Sequence, residues 1–153
     1  IMKKSFTLIE LLVVVAIIGI LAAVGTPIFQ GFMATAKINA TKENHVRAKD
    51  MISAYIAKCS VSGGYIQLKN NSKSMANVSC NSGAYNLALK FVEHLNSDGW
   101  KNPYDNNPCC YSTTNPSRNN GRTHIGGVNA SYNTIYMSTK IGSETLTSSI
   151  ILE

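Results

Sequence analysis

The N-terminal part of the chain contains one long apolar stretch. Every residue from 11 to 24 is apolar or glycine, and no charged residue occurs between Glu10 and Lys37. Read as a helix, residues 6–24 approach the length of about 20 residues that crosses a hydrocarbon core. The pattern therefore predicts a membrane-length helix.

Beyond Pro27 the helical pattern continues but becomes amphipathic. Apolar side chains recur at spacings of three and four, while the charged ones fall on other faces. The spacing predicts that one helix covers residues 6–58, and the turn at residues 62–64 ends it. The apolar face consists of Ala48, Ile52, Tyr55, Ile56 and Cys59.

The rest of the chain combines a loop, a short helix and strands. Residues 61–83 are rich in Asn and Ser and predict an irregular connection, with weak strand potential at residues 65–68. Apolar spacing then predicts a helix around residues 87–95, closed by residues 96–99. Strands are predicted at residues 110–114, 125–128, 134–138 and 145–152. The expected fold is α+β: a long N-terminal helix packed on a small antiparallel sheet of three or four strands.

Charge gives the chain a direction in the membrane. Lys3 and Lys4 precede the apolar stretch, which predicts a cytoplasmic N-terminus and an outward C-terminal region. Charged residues make up only 14% of the chain and Asn, Ser and Thr supply its polarity, as is typical of exported proteins. The net charge is +6, but the basic residues are scattered, so the sequence gives DNA binding little support.

Glu10 is the only carboxylate near the apolar stretch. A lone acid at the centre of a membrane helix costs about 2.5 to 3.5 kcal/mol, and less near the interface, so it requires a partner. The new amine of a cleaved N-terminus would be one. A single-pass anchor with a small outward domain would show the same hydropathy, but it would explain neither Glu10 nor the very short basic leader.

The N-terminal residues, Lys3-Lys4-Ser5 followed by FTLIELL, then Gly19 and Pro27, resemble the class III signal of type IV pilins and pseudopilins. The resemblance implies that a prepilin peptidase cuts between Ser5 and Phe6 and that the Phe6 amine is N-methylated. Where this chain has Ser5, the family usually has glycine.

The resemblance also implies how the chain is used. Glu10 would offset the Phe6 amine of a neighbouring subunit, and the helix would loosen around residues 19–27 in the filament. Expected segments are a leader (1–5), a membrane and filament-core helix (6–27), an amphipathic half-helix (28–60) and a globular domain (61–153). Implied partners are inner-membrane lipid, identical subunits, the peptidase and the assembly machinery.

Two functions are consistent with this resemblance. The first is a structural subunit of an extracellular type IV pilus that serves adhesion, twitching motility or DNA uptake. The second is a major pseudopilin of a type II secretion system, which residues 98–104 favour because they resemble the family's W-x-N-P-Y loop. In pseudopilins nearby acidic oxygens bind calcium, which makes Asp98 and Asp105 calcium candidates. We favour a structural turn in which Trp100 fills the core and Pro103 fixes the bend.

Four cysteines in an exported chain predict two disulfides, with three possible pairings. Pairing Cys59 with Cys80 would leave the neighbours Cys109 and Cys110 to form a strained ring or stay free. We therefore expect Cys59 and Cys80 each to bond one member of the adjacent pair.

The sequence contains none of the common catalytic signatures. It has no G-x-S-x-G, H-E-x-x-H or C-x-x-C motif and no phosphate-binding glycine loop, and its three histidines, His45, His94 and His124, are dispersed. We predict a protein that is not an enzyme and needs no cofactor.

Overall fold

The computed structural model describes residues 4–112, 119–128 and 133–152. The chain divides into two compact units, Ile1–Ala36 and Lys37–Glu153. One helix, α1 (Leu8–Cys59), contributes to both units, and its bounds agree closely with the helix predicted over residues 6–58.

The second unit contains the C-terminal half of α1, a second helix and two sheets, which confirms the α+β class. Its helix α2 (Ala84–Ser97) confirms the helix predicted from apolar spacing. The strands, in chain order, are β1 (Tyr65–Lys69), β2 (Met75–Ser79), β3 (Cys110–Tyr111), β4 (Thr123–Val128), β5 (Thr134–Ile141) and β6 (Glu144–Ile151).

The larger sheet has the order β3-β4-β5-β6. β4, β5 and β6 form an antiparallel meander, which confirms the expected antiparallel sheet of three or four strands, and β3 is added at its edge in parallel with β4. β3 is only two residues long and runs in the same direction as β4. Part of the strand predicted at residues 110–114 lies outside the described residues.

β1 and β2 form a separate antiparallel hairpin. β1 agrees with the weak strand potential predicted at residues 65–68, whereas β2 lies in what was predicted to be an irregular connection. The side chain of Asn70 organises the turn: its Oδ1 accepts hydrogen bonds from the amides of Ser72 and Ser74 at 3.0 and 3.1 Å. This local bonding makes a tight turn from residues whose composition is that of a loop.

The core of the second unit lies among α1, α2 and the larger sheet. From α1 it receives Ala48 and Ile52, which are fully buried, while Tyr55 and Ile56 pack partly buried against the cluster. The amphipathic face predicted from the sequence is thus confirmed. Phe91 of α2 is one of the largest side chains in this core.

Helix α2 approaches β4 very closely at Gly127. A Cβ at that position would overlap the backbone of Ala84, the first residue of α2. Only a glycine lets the helix backbone pack against the strand here.

A buried polar network joins α1 to the larger sheet inside the second unit. His45 of α1 bonds Thr139 of β5 through Nδ1 at 2.8 Å and Ser148 of β6 through Nε2 at 2.9 Å. Thr139 in turn donates to the hydroxyl of Thr123 on β4 at 2.8 Å. The His45 pKa is lowered, mainly because burial disfavours the charged ring and secondly because Lys49 is positive.

Candidate assembly site

The N-terminal half of α1 exposes its apolar side chains on every face. Within the described chain, residues 4–36 are all exposed, and Phe6 is 88% exposed. Among the described helices, α1 is the one that is long and apolar enough to cross a membrane. A helix that is apolar all round requires lipid or other helices as its surroundings.

Ser5 and Phe6 precede the first turn of α1 and are exposed. The bond predicted to be cut therefore lies in non-helical chain, where a peptidase can bind an extended backbone. α1 begins at Leu8, so cleavage would leave Phe6 next to the positive end of the helix dipole.

Glu10 forms a reciprocal cap with Thr7 at the start of α1. The Thr7 amide donates to Glu10 Oε2 at 2.8 Å, and the Glu10 amide donates to Thr7 Oγ1 at 3.3 Å. This is the capping box T-x-x-E, in which two amides that lack helical partners are satisfied by side chains. The sequence interpretation identified Glu10 but missed Thr7, although the spacing of three residues was a readable signal.

In the single chain the carboxylate of Glu10 is therefore held at the helix N-terminus by its own backbone. The predicted pairing with the amine of a neighbouring subunit would use a carboxylate held at this position. The cap positions the carboxylate without neutralising its charge, so the need for a cationic partner in an apolar environment persists.

Gly19 and Pro27 lie inside α1, which is continuous through both. A Cβ at Gly19 would meet no atom within 4 Å, so nothing in the single chain requires glycine there. Pro27 lacks an amide hydrogen, so the carbonyl four residues earlier has no helical donor. Next to it, the Thr26 hydroxyl bonds the Ala22 carbonyl at 2.8 Å. The loosening of this segment in the filament stays a prediction.

The disulfides pair differently from our expectation. Cys59 bonds Cys80, and Cys109 bonds its neighbour Cys110. The first bridge joins the end of α1 to the end of the β1–β2 hairpin, where the Cys80 amide also donates to the Gly64 carbonyl at 2.8 Å. The second strand of this hairpin, β2, which the sequence interpretation missed, brings Cys80 back to α1. Because Cys59 and Cys80 bond to each other, Cys109 and Cys110 remain to form the second disulfide.

The adjacent cysteines are buried at the start of β3, where Asn96 of α2 surrounds their backbone. The Asn96 side chain accepts from the Cys110 amide at 3.1 Å and donates to the Cys110 carbonyl at 2.8 Å. The Cys109 carbonyl accepts from the Thr123 amide at 2.9 Å. The pair is therefore part of the connection between α2 and the larger sheet.

Residues 98–104 form a packed loop in which Trp100 lies partly buried against the core, and the Arg47 guanidinium is 5.1 Å from the centre of its ring. The fully buried Asn102 accepts from the Tyr104 amide at 3.0 Å and donates to the Asn120 carbonyl at 3.0 Å. These contacts support the structural interpretation of the loop.

Asp98 and Asp105, the calcium candidates, each have a cationic partner. Asp98 bonds Lys69, and this bond is the main reason that its pKa is lowered. Asp105 lies 3.5 Å from Arg122, and its pKa is lowered first by the hydrogen bond from the Asn107 amide. Among the described residues, no group of three His, Cys, Asp or Glu side chains could hold a metal ion. Calcium binding stays a prediction for these two residues.

Comparison with known proteins concentrates on the N-terminal segment. Residues 2–26 match the family model described as the prokaryotic N-terminal methylation motif. The fimbrial protein EcpB of Eikenella corrodens is 62% identical over 37 residues, which cover 24% of this chain and 23% of that protein. A fimbrial protein of Moraxella nonliquefaciens is 54% identical over 37 residues, or 24% of each chain.

A longer match reaches into the second unit. The type IV major pilin protein PilE of Neisseria gonorrhoeae is 35% identical over 105 residues, which cover 58% of this chain and 63% of PilE. No solved structure matches the chain. The matches span about a quarter of the length of the first two relatives and less than two thirds of PilE. The N-terminal segment therefore carries the prokaryotic N-terminal methylation motif, and the chain is similar to fimbrial proteins and type IV major pilins over part of their length.

Proposed function

We propose that this chain is the structural subunit of a type IV pilus, held in the inner membrane before assembly and then part of an extracellular filament. The observation that carries the proposal is the start of α1. There Glu10 is fixed by its own helix at one end of an apolar surface that is exposed all round. A surface of this kind is satisfied first by lipid and later by the same helix of other subunits.

Assembly is then a transfer between two apolar environments. Lipid contacts of residues 6–36 are exchanged for helix–helix contacts. The hydrophobic effect therefore contributes little to the free energy of assembly, and close packing between helices contributes more. The charge of Glu10 favours the filament over the membrane, because the amine of a neighbouring Phe6 is a better partner for the carboxylate than lipid is. Cleavage after Ser5 creates that amine.

The relatives favour a pilus over a secretion piston. The similar proteins are named as fimbrial proteins or type IV major pilins. Those names support the first of the two functions and a structural role rather than an enzymatic one. The loop around Trp100, which had suggested a pseudopilin, is accounted for by its packing against the core and Arg47.

The first test is the intact mass and N-terminal peptide of protein sheared from the cell surface. We expect a chain that starts at N-methylated Phe6. An envelope protein that is never shed, with Lys4 still attached, would contradict both cleavage and filament formation. Filaments that form only inside the envelope, and only with a secretion system present, would support the pseudopilin.

The second test replaces the charge of Glu10. We expect Glu10→Gln to accumulate in the membrane at the normal level but to lower the yield of sheared filaments by about tenfold or more, the effect of losing about 1.4 kcal/mol per contact. Glu43→Gln is the matched control, since Glu43 is an exposed acid of the same helix, 3.8 Å from Arg47. Equal filament yields from the two variants would refute the role of Glu10.

A further inference from the structure

The outer face of the larger sheet carries a recess that the assembly function does not use. The strand register places His124, Ser138 and Thr147 side by side across β4, β5 and β6. They face away from the core side chains Ile125 and Met137, which alternate with them along the strands. The recess has a volume of about 480 Å³, within the range of ligand sites in proteins.

Two tyrosines border this recess. Tyr136 lies one row along from Ser138 on the same face, between Gly126 on β4 and Ser149 on β6. Because Gly126 has no side chain, the residue directly opposite Tyr136 on β4 leaves space beside its ring. Tyr85 reaches the recess from the first turn of α2. Both tyrosines are 45% exposed, so each keeps much of its ring surface for another molecule.

The chemistry of the lining selects one class of ligand. Among the described residues that line the recess, none is Asp, Glu, Lys or Arg. Burial lowers the pKa of His124, so its ring is uncharged at neutral pH. These described lining residues therefore offer no charged side chain to a phosphate, a nucleic acid or a metal ion. Hydroxyl groups that both donate and accept hydrogen bonds, beside aromatic rings, suit a ligand with hydroxyls on its rim and C–H groups on its faces.

We propose that the recess bordered by Tyr85 and Tyr136, with Ser138 and Thr147 at its base, is a binding site for a neutral saccharide. The ring of Tyr136 stacks on the C–H face of the sugar, and the two hydroxyls exchange hydrogen bonds with its hydroxyl groups. The recess has room for one or two sugar rings. The site belongs to the folded second unit, so it does not depend on the proposed pilus function.

The test uses the full chain in phosphocholine micelles, because a detergent with a sugar head group would compete for the recess. Saturation-transfer NMR is recorded with the methyl glycosides of glucose, galactose, mannose and N-acetylglucosamine, and with N-acetylneuraminic acid and methyl phosphate as charged probes. We expect at least one neutral glycoside to bind with a dissociation constant on the order of millimolar, and neither charged probe to bind.

Variants then locate the binding. Tyr136→Ala is expected to weaken binding by about tenfold, whereas Tyr136→Phe retains most of it because the ring stays. Tyr65→Ala is the matched control, since Tyr65 is an exposed tyrosine of the β1–β2 hairpin and is not part of the recess. Ser138→Ala and Thr147→Ala probe the base independently of the ring.

Three outcomes would overturn the proposal: no binding of any neutral glycoside, binding that Tyr136→Ala leaves unchanged, or preference for a charged probe. The measurement uses unassembled subunits. It therefore gives its answer even if the chain never forms a filament, and the two proposals can fail separately.

Discussion

Acid should weaken the second unit through His45, because its network is built for the neutral ring. Thr139 gives its hydroxyl hydrogen to Thr123, so His45 Nδ1 must donate to Thr139, which leaves Nε2 to accept from Ser148. A second proton would reverse the Ser148 bond and place a positive charge in a site that is 4% exposed. The structure therefore predicts that protonation is disfavoured in the folded state.

The lowered pKa of His45 fixes the direction of the effect. Unfolded, the ring takes up a proton near pH 6.5; folded, it does so only at lower pH. Stability is thus complete above about pH 6.5 and declines as the pH falls toward the folded pKa, by up to about 1.4 kcal/mol per pH unit for one such group. His94 and His124 also have pKa values lowered mainly by burial, and they add to the slope.

A variant without a titratable side chain at position 45 measures how much His45 contributes to the pH dependence of stability. His45→Gln keeps one donor and one acceptor, so we expect it to cost about 1 to 2 kcal/mol at pH 7. Between pH 6.5 and 5 its free energy of unfolding should fall less steeply than that of the wild type. Urea titration of the full chain in micelles measures this through the fluorescence of Trp100, the one tryptophan of the chain.

A second variant tests why the pKa of His45 is lowered. Lys49→Gln removes the positive neighbour that helps to lower the His45 pKa, so its acid slope should be slightly shallower than that of the wild type. If His45→Gln follows the wild-type slope in parallel over the whole range, the histidine is not what couples folding to pH and the argument from its network fails.

Two further changes test the packing. Gly127→Ala should destabilise the second unit by about 1 to 3 kcal/mol, because the new methyl group would overlap the Ala84 backbone; Gly31→Ala, a helix position where a Cβ meets nothing within 4 Å, should cause no destabilisation in the same urea titration. Replacing Cys59 and Cys80 together by serine should cost about 2 to 4 kcal/mol and speed proteolysis of the hairpin, and a digest of unreduced protein that lacks a peptide linking these two residues would contradict the observed pairing.

The helices could be predicted because their signals are local. The apolar stretch before Pro27 and the spacing of Ala48 and Ile52 both depend on helix geometry alone, and the structure agrees with both. The candidate assembly residues Glu10 and Phe6 could also be identified from the sequence. A single acid beside an apolar stretch costs free energy in a membrane, so it indicates a functional partner.

The hairpin could not be predicted in the same way. β2 buries only Val78 within its five residues, so it shows little of the alternation that marks a strand. What makes it a strand is its pairing with β1, where Ile66 lies opposite Val78. The Asn70 turn and the core beneath the hairpin decide this pairing. The pattern of apolar residues within one segment carries no information about either.

The incorrect disulfide prediction follows directly from the missed hairpin. A prediction without a strand at residues 75–79 gives Cys80 no fixed position, and the strain between adjacent cysteines then decides the expected pairing. Once β1 and β2 pair, the chain places Cys80 at the end of α1 beside Cys59. Because the fold already holds these two cysteines close together, they bond to each other, and this outweighs the cost of bonding the adjacent pair. Cysteine pairing is therefore a consequence of strand pairing in this chain, so any sequence argument about the former has to establish the latter first.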